Sequence, residues 1–172
     1  GLNFTALRYF NAAGADPDLK HGYTQEPASH LIPTLARAAI NGNTIDVYGN
    51  DYETADGTAE RDYTHVADIA TAHLAAMQYL EDGGVSGAFN IGAGSTTSVL
   101  AAIDTFNRVN QTNIKYNIAD RRPGDPKQTF ADITKAKSSF GWEPVYKLED
   151  IVESKTASSK SIGKYKGVDV FV

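Results

Sequence analysis

Two arginine sites stand out by residue type and spacing. Arg61 is a lone cation between Glu60 and Asp62 in ERDYTHV, and Arg121 and Arg122 open the run RRPGDP. A guanidinium is a planar fork whose paired N–H donors match phosphate oxygens, a geometry that the ammonium of lysine lacks. Pro123 and Gly124 predict a rigid turn between Arg122 and Asp125. That turn would present a cation for phosphate and a carboxylate for sugar hydroxyls side by side. Taken on spacing alone, two surface salt-bridge clusters explain the same residues better.

Other chemistries find less support. FNIGAGSTTSVLAAI reads as a strand, a Gly-x-Gly turn and a helix, and IKYNIAD ends a later strand in Asp120. A dinucleotide fingerprint needs a third small residue for close helix packing, and Thr97 stands there. The turn therefore reads as a strand-to-helix link, with Ser95, Thr96, Thr97 or Ser98 capping the helix. The four histidines, His21, His30, His65 and His73, show no metal-ligand spacing. His73 falls on an apolar helix face and reads as core. His65 follows a strand beside Asp62 and reads as buried and hydrogen-bonded. There is no Gly-x-Ser-x-Gly elbow, and no tyrosine is followed four residues later by lysine. The absence of cysteine removes disulfides, thiolate metal sites and a thiol nucleophile.

The elements that must carry these residues are legible from apolar spacing. Strand-length apolar runs cover 4–13, 44–49, 62–66, 88–92 and 114–119. Helical patterns cover 29–40, with Pro33 early enough to be tolerated, and 68–82, with Ile69, His73, Ala76, Met77 and Leu80 on one face. Asp68 suits the N-terminus of that second helix. Further helices are expected over 98–110 and 132–141, the last stopped by Gly141. Strands alternating with helices predict an α/β domain with a partly parallel sheet.

At 172 residues, 41% hydrophobic and 22% charged, the chain can build one domain with a real core. A net charge of −5 argues against nucleic acid, whose phosphates need a basic surface. No apolar run reaches membrane-spanning length and nothing at the start reads as a signal peptide, so a cytoplasmic location without membrane contact is expected. The chain starts inside an apolar run, GLNFTALRYF, without Met. That predicts a fragment of something longer.

Four segments in order, LRYFNAAGADPD, DVYGNDYETADGTAERDYTHVADIATAH, FNIGAGSTTSV and DRRPGDP, resemble UDP-glucose 4-epimerases, a family of extended short-chain dehydrogenases. The resemblance runs from about Phe4 to Glu153 and is to the C-terminal half. It implies a fold in which an N-terminal Rossmann part holds NAD and the C-terminal portion, here 1–153, holds the UDP-sugar. The tail 154–172 diverges and is expected to be loosely packed. The implied reaction interconverts UDP-glucose and UDP-galactose at C4. With no Tyr-x-x-x-Lys pair in it, the isolated chain would be inactive. Homodimers would form through the missing half.

Position by position, the resemblance implies that Phe10 lies near the nicotinamide and Asn11 donates to the diphosphate. Asp46, Val47 and Tyr48 would line the uracil, Arg61 and Arg122 would grip the diphosphate, and Asp125 would bind a ribose hydroxyl. Glu60 and Asp62 would orient Arg61. Thr129 would wall the sugar pocket, and its small size would admit UDP-N-acetylhexosamines. His30 and Leu31 stand where the family usually has Asn-Leu, and Tyr48 where it often has Phe. The readings left open are another nucleotide-sugar epimerase or dehydratase, and a non-catalytic nucleotide-binding domain.

Overall fold

The computed structural model describes residues 1–18, 20–23 and 27–153. The first apolar run is not one strand. It breaks at Phe10 into β1 (Thr5–Tyr9) and β2 (Asn11–Ala13). β1 pairs in parallel with β6 (Gly87–Ile91), whereas β2 pairs in parallel with β5 (Tyr63–His65). Phe10 is the residue at which the chain changes partner, its N–H still donating to Ile91 O at 3.2 Å.

Two further sheets complete the scaffold. β3 (Ile45–Tyr48) and β8 (Tyr116–Ala119) form a parallel pair. β4 (Glu60–Arg61) lies between β7 (Thr97–Ser98), antiparallel, and β9 (Gln128–Thr129), parallel. The expected α/β class is observed, with its parallel pairing divided among four small sheets. Strands of two residues carry no readable period, which is why β7 and β9 escape a sequence reading.

Four helices are α1 (Leu31–Asn41), α2 (Val66–Glu81), α3 (Val99–Asn110) and α4 (Thr134–Phe140), each close to its expected span, and the described residues 148–153 are helical as well. One buried cluster joins α1, α3, Ile45, Val47, Ile151 and Val152; another joins Ile69 and Ala72 of α2 to Phe89, Ile91 and Trp142. On the expected face of α2, Ile69 and Ala76 are buried, but Met77 is 55% exposed and His73 is exposed, not core, and Ala72, not expected on that face, is buried. The ring of His73 bridges Ile69 O and the Tyr9 hydroxyl, both at 2.8 Å.

α2 starts two residues before its expected span, with Asp68 in its first turn as expected. His65, 1% exposed, caps it through Nδ1, which accepts from Ala67 N–H at 3.0 Å. Asp68 is buried and accepts from the N–H groups of Val145 and Tyr146 at 3.0 and 3.1 Å. Its role is to hold the 142–146 segment against α2, with Trp142 Nε1 donating to Asp68 O at 3.1 Å. The expectation of a loose tail over 154–172 lies outside the described residues.

Candidate functional site

An open cleft of about 1320 Å³ runs between the ends of β2, β3 and β4, the N-terminal half of α1 and the loop after β8. All eleven expected site residues line it. Phe10 and Asn11 come from the β1–β2 break, and His30 and Leu31 from the start of α1. Asp46, Val47 and Tyr48 come from β3, Arg61 from β4, Arg122 and Asp125 from the RRPGDP turn, and Thr129 from β9. Residues far apart in sequence meet here because β3 pairs with β8 and β4 with β9.

Arg61 and Arg122, two of the three arginines that line the cleft, are held differently. The Arg61 side chain is 14% exposed; Nη1 donates to Glu60 O at 2.7 Å and Nη2 pairs with Asp125 Oδ1. Arg122 is exposed and lies over the Tyr48 ring, 3.7 Å from its centroid. Among the described residues it has no carboxylate partner. Its neighbour Arg121 turns away from the cleft, with Nε donating to Asp51 Oδ1 at 2.6 Å and the guanidinium over Tyr52. The turn itself is as expected, Asp125 N–H donating to Arg122 O at 3.2 Å.

The acids flanking Arg61 do not orient its guanidinium with their side chains. Successive strand residues point to opposite faces. Glu60 Oε2 accepts from Thr96 Oγ1 at 2.9 Å and from Gln128 Nε2 at 2.6 Å. Asp62 is fully buried, and its carboxylate accepts from the N–H groups of Ala93, Gly94 and Ala131 at 2.7, 3.0 and 3.1 Å. The acid that meets Arg61 is Asp125, which comes from 64 residues away. No local pattern announces such a partner.

Asp62 also explains the Gly-x-Gly turn. The donors that would greet a phosphate already serve a buried carboxylate, so this turn is no pyrophosphate cradle. The helix that follows is capped by Ser98, whose Oγ accepts from Ala101 N–H at 3.1 Å. The Asp56-Gly57-Thr58 segment braces this cap: Asp56 Oδ1 accepts from Thr58 N–H and Oγ1 at 2.9 and 2.7 Å, and Oδ2 accepts from Ser98 Oγ. Burial alone would raise the Asp56 pKa, but these hydrogen bonds outweigh it and hold the carboxyl below its usual range.

The remaining groups are positioned rather than reactive. Tyr63 lines the cleft but is buried, which pushes its phenol pKa far up against the opposing pull of Arg61, so it stays protonated. His30 is exposed, and its carbonyl accepts from Thr34 Oγ1 at 2.8 Å. Thr129 lines the cleft while Gln128 and Phe130, both exposed, do not. Arg37 of α1 also lines the cleft, a residue missed in sequence. Its signal was a single charge inside the apolar run LIPTLARAAI. No group of three metal-ligating side chains occurs among the described residues, and no described helix is long and apolar enough to cross a membrane.

Comparison with known proteins supplies a family. The model of the NAD dependent epimerase/dehydratase family matches residues 1–92. A UDP-glucose 4-epimerase of Halalkalibacterium halodurans is 44% identical over 155 residues, covering 89% of this chain and 46% of that protein. A UDP-glucose-4-epimerase from Stenotrophomonas maltophila, solved with bound NAD and formylated UDP-arabinopyranose, matches at TM-score 0.92 and 34% identity. The match covers 95% of this chain and 49% of that one. A UDP-Glc/GlcNAc 4-epimerase from Campylobacter jejuni matches at TM-score 0.77 and 38% identity, over 92% and 49%. The chain spans about half the length of the curated relatives it matches.

Proposed function

The chain belongs to the NAD dependent epimerase/dehydratase family, and we propose that it is the C-terminal, UDP-sugar-binding portion of a UDP-glucose 4-epimerase. The observation that carries this reading is the convergence of Arg61, Arg122 and Asp125 with the ends of β2 and β3 on one cleft. The names of its relatives support the reaction. The chain has neither a three-glycine fingerprint nor a Tyr-x-x-x-Lys pair, and its one Gly-x-Gly turn is filled by Asp62. These features support reading the cleft as a diphosphate site and placing NAD mainly outside this chain.

In the full-length parent, NAD would serve as hydride acceptor and donor at C4, with Phe10 bordering the nicotinamide. This chain would bind and orient the substrate. Arg122 would meet the diphosphate with donors already available, and Asn11 would add an amide. Arg61 would join them as Asp125 moves from it to a ribose hydroxyl. The backbone of Asp46, Val47 and Tyr48 would line the uracil. His30 and Leu31 would close the α1 side, and Thr129 would wall the sugar. The parent would be a cytoplasmic isomerase of galactose metabolism that dimerises through its other half.

The test is conversion of UDP-galactose to UDP-glucose by the full-length parent with NAD. Failure with both, alongside conversion of another nucleotide sugar, would transfer the reading to a sister epimerase or dehydratase. Binding of UDP without any conversion would favour a non-catalytic nucleotide-binding protein.

A further inference from the structure

We propose that Tyr48 is a positioning residue whose ring holds Arg122 ready for the nucleotide diphosphate. The inference rests on the reading of Arg122 as a diphosphate ligand. The sequence holds two tyrosines four residues apart in YGNDY and two adjacent arginines in RRPGDP. Each arginine stacks on one tyrosine, Arg122 on Tyr48 at 3.7 Å and Arg121 on Tyr52 at 3.9 Å. The pairing follows from the β3–β8 register, which sets Tyr48 beside Ala119, three residues before Arg122.

The two stacks differ in what is left over. Arg121 spends donors on Asp51. Arg122 has a ring beneath it and no carboxylate among the described residues. Stacking uses the face of a guanidinium, whereas its N–H donors lie in the plane and point outward. An acid in the place of Tyr48 would orient Arg122 equally well but would consume the donors and oppose the incoming charge. An aliphatic residue would leave a long side chain to be ordered only when the ligand arrives. The ring thus removes rotamer freedom before binding while leaving every donor open. The hydroxyl of Tyr48 takes no part, so phenylalanine should serve as well.

The experiment is calorimetric titration of UDP and of uridine into the full-length parent, its NAD in place, and into Tyr48→Phe, Tyr48→Leu, Tyr48→Met, Arg122→Leu and Tyr48→Leu/Arg122→Leu, each checked for folding by thermal melting. Tyr48→Phe should match wild type. The two aliphatic variants should bind UDP about three- to tenfold more weakly and uridine unchanged, and Tyr48→Leu should add no loss in the Arg122→Leu background. Equal UDP affinity in a folded aliphatic variant would overturn the proposal. So would an equal loss for uridine, which would make the ring a base contact. Arg122→Leu binding UDP like wild type would overturn the diphosphate reading and the platform with it. Weak UDP binding by Arg122→Leu with normal binding by Tyr48→Leu would overturn the platform alone.

Discussion

Arg61 spends two donors on Glu60 O and Asp125, so the proposed encounter with a phosphate would be an exchange of partners, whereas Arg122 would need none. At this same scale Thr129 tests which sugars fit. It alone of 128–130 faces the cleft, because strand side chains alternate. A small residue there leaves room for an acetamido group, and spare room rejects the smaller hexose only weakly. The parent should therefore convert UDP-N-acetylglucosamine as well as UDP-glucose. Thr129→Tyr should cut the ratio of the two activities by about tenfold or more. No conversion by wild type, or an unchanged ratio, would remove Thr129 from the pocket wall. His65 tests stability. Burial lowers its pKa below 6.5, against the pull of Asp68 and Asp150. Below that pH the unfolded chain takes up a proton that the folded chain resists. The stabilising contribution is therefore complete above pH 6.5 and is lost as pH falls through the lowered folded-state value. Urea unfolding at about pH 7.5 and about pH 5.5 should show this loss, and His65→Asn, which can still cap α2, should shrink it. An equal acid loss in the variant would assign the effect elsewhere.

Turns and caps decide what the elements can do. Gly57 sits at φ +81 and an added Cβ would lie 2.2 Å from Asn50 O, whereas Gly42, the C-cap of α1 at φ +70, has nothing within 4 Å. Gly57→Ala should cost more than about 3 kcal/mol by strain and clash together, loosening the brace on α3; Gly42→Ala should cost about 1 kcal/mol. Denaturant unfolding checks both, and equal costs would mean that the brace can shift. Asp62→Asn should cost about 1.5–3 kcal/mol by weakening charge-assisted bonds to buried N–H groups, read by the same unfolding. These devices mark the limit of what was legible. α1, α2 and α3 could be read because each repeats an apolar period over several turns, and α4, seven residues long, was marked by its glycine stop. The Gly-x-Gly turn could be declined from Thr97, but its true partner could not be seen, since Asp62 lies 31 residues before Ala93. The misreading of α2 has the same root. Periodicity reports an apolar stripe, and only packing decides that Ala72 faces inward while His73 and Met77 do not. Arg61, Arg122 and Asp125 stood out by residue type and spacing and the other expected cleft residues through resemblance, whereas the cleft position of Arg37, the Arg61–Asp125 pair and the Tyr48 stack belong to tertiary structure.

For the whole molecule, the proposed role of this chain is that of a substrate cradle without the proton-transfer chemistry. The 172-residue chain alone should not epimerise UDP-galactose, even with NAD added, since no tyrosine has a lysine four residues on to lower its pKa. Turnover above a mock preparation would refute that. The central claim is that the cleft grips a nucleotide diphosphate through two arginine forks. Its most direct test is titration of UDP into the full-length parent and its Arg61→Lys and Arg122→Lys variants. Each lysine replaces a bidentate, charge-assisted contact by a point charge. Each should weaken UDP binding by about 1.5–3 kcal/mol, roughly ten- to a hundredfold, and leave NAD binding nearly unchanged. UDP affinities equal to wild type in both variants would contradict the account and reduce these arginines to surface salt bridges.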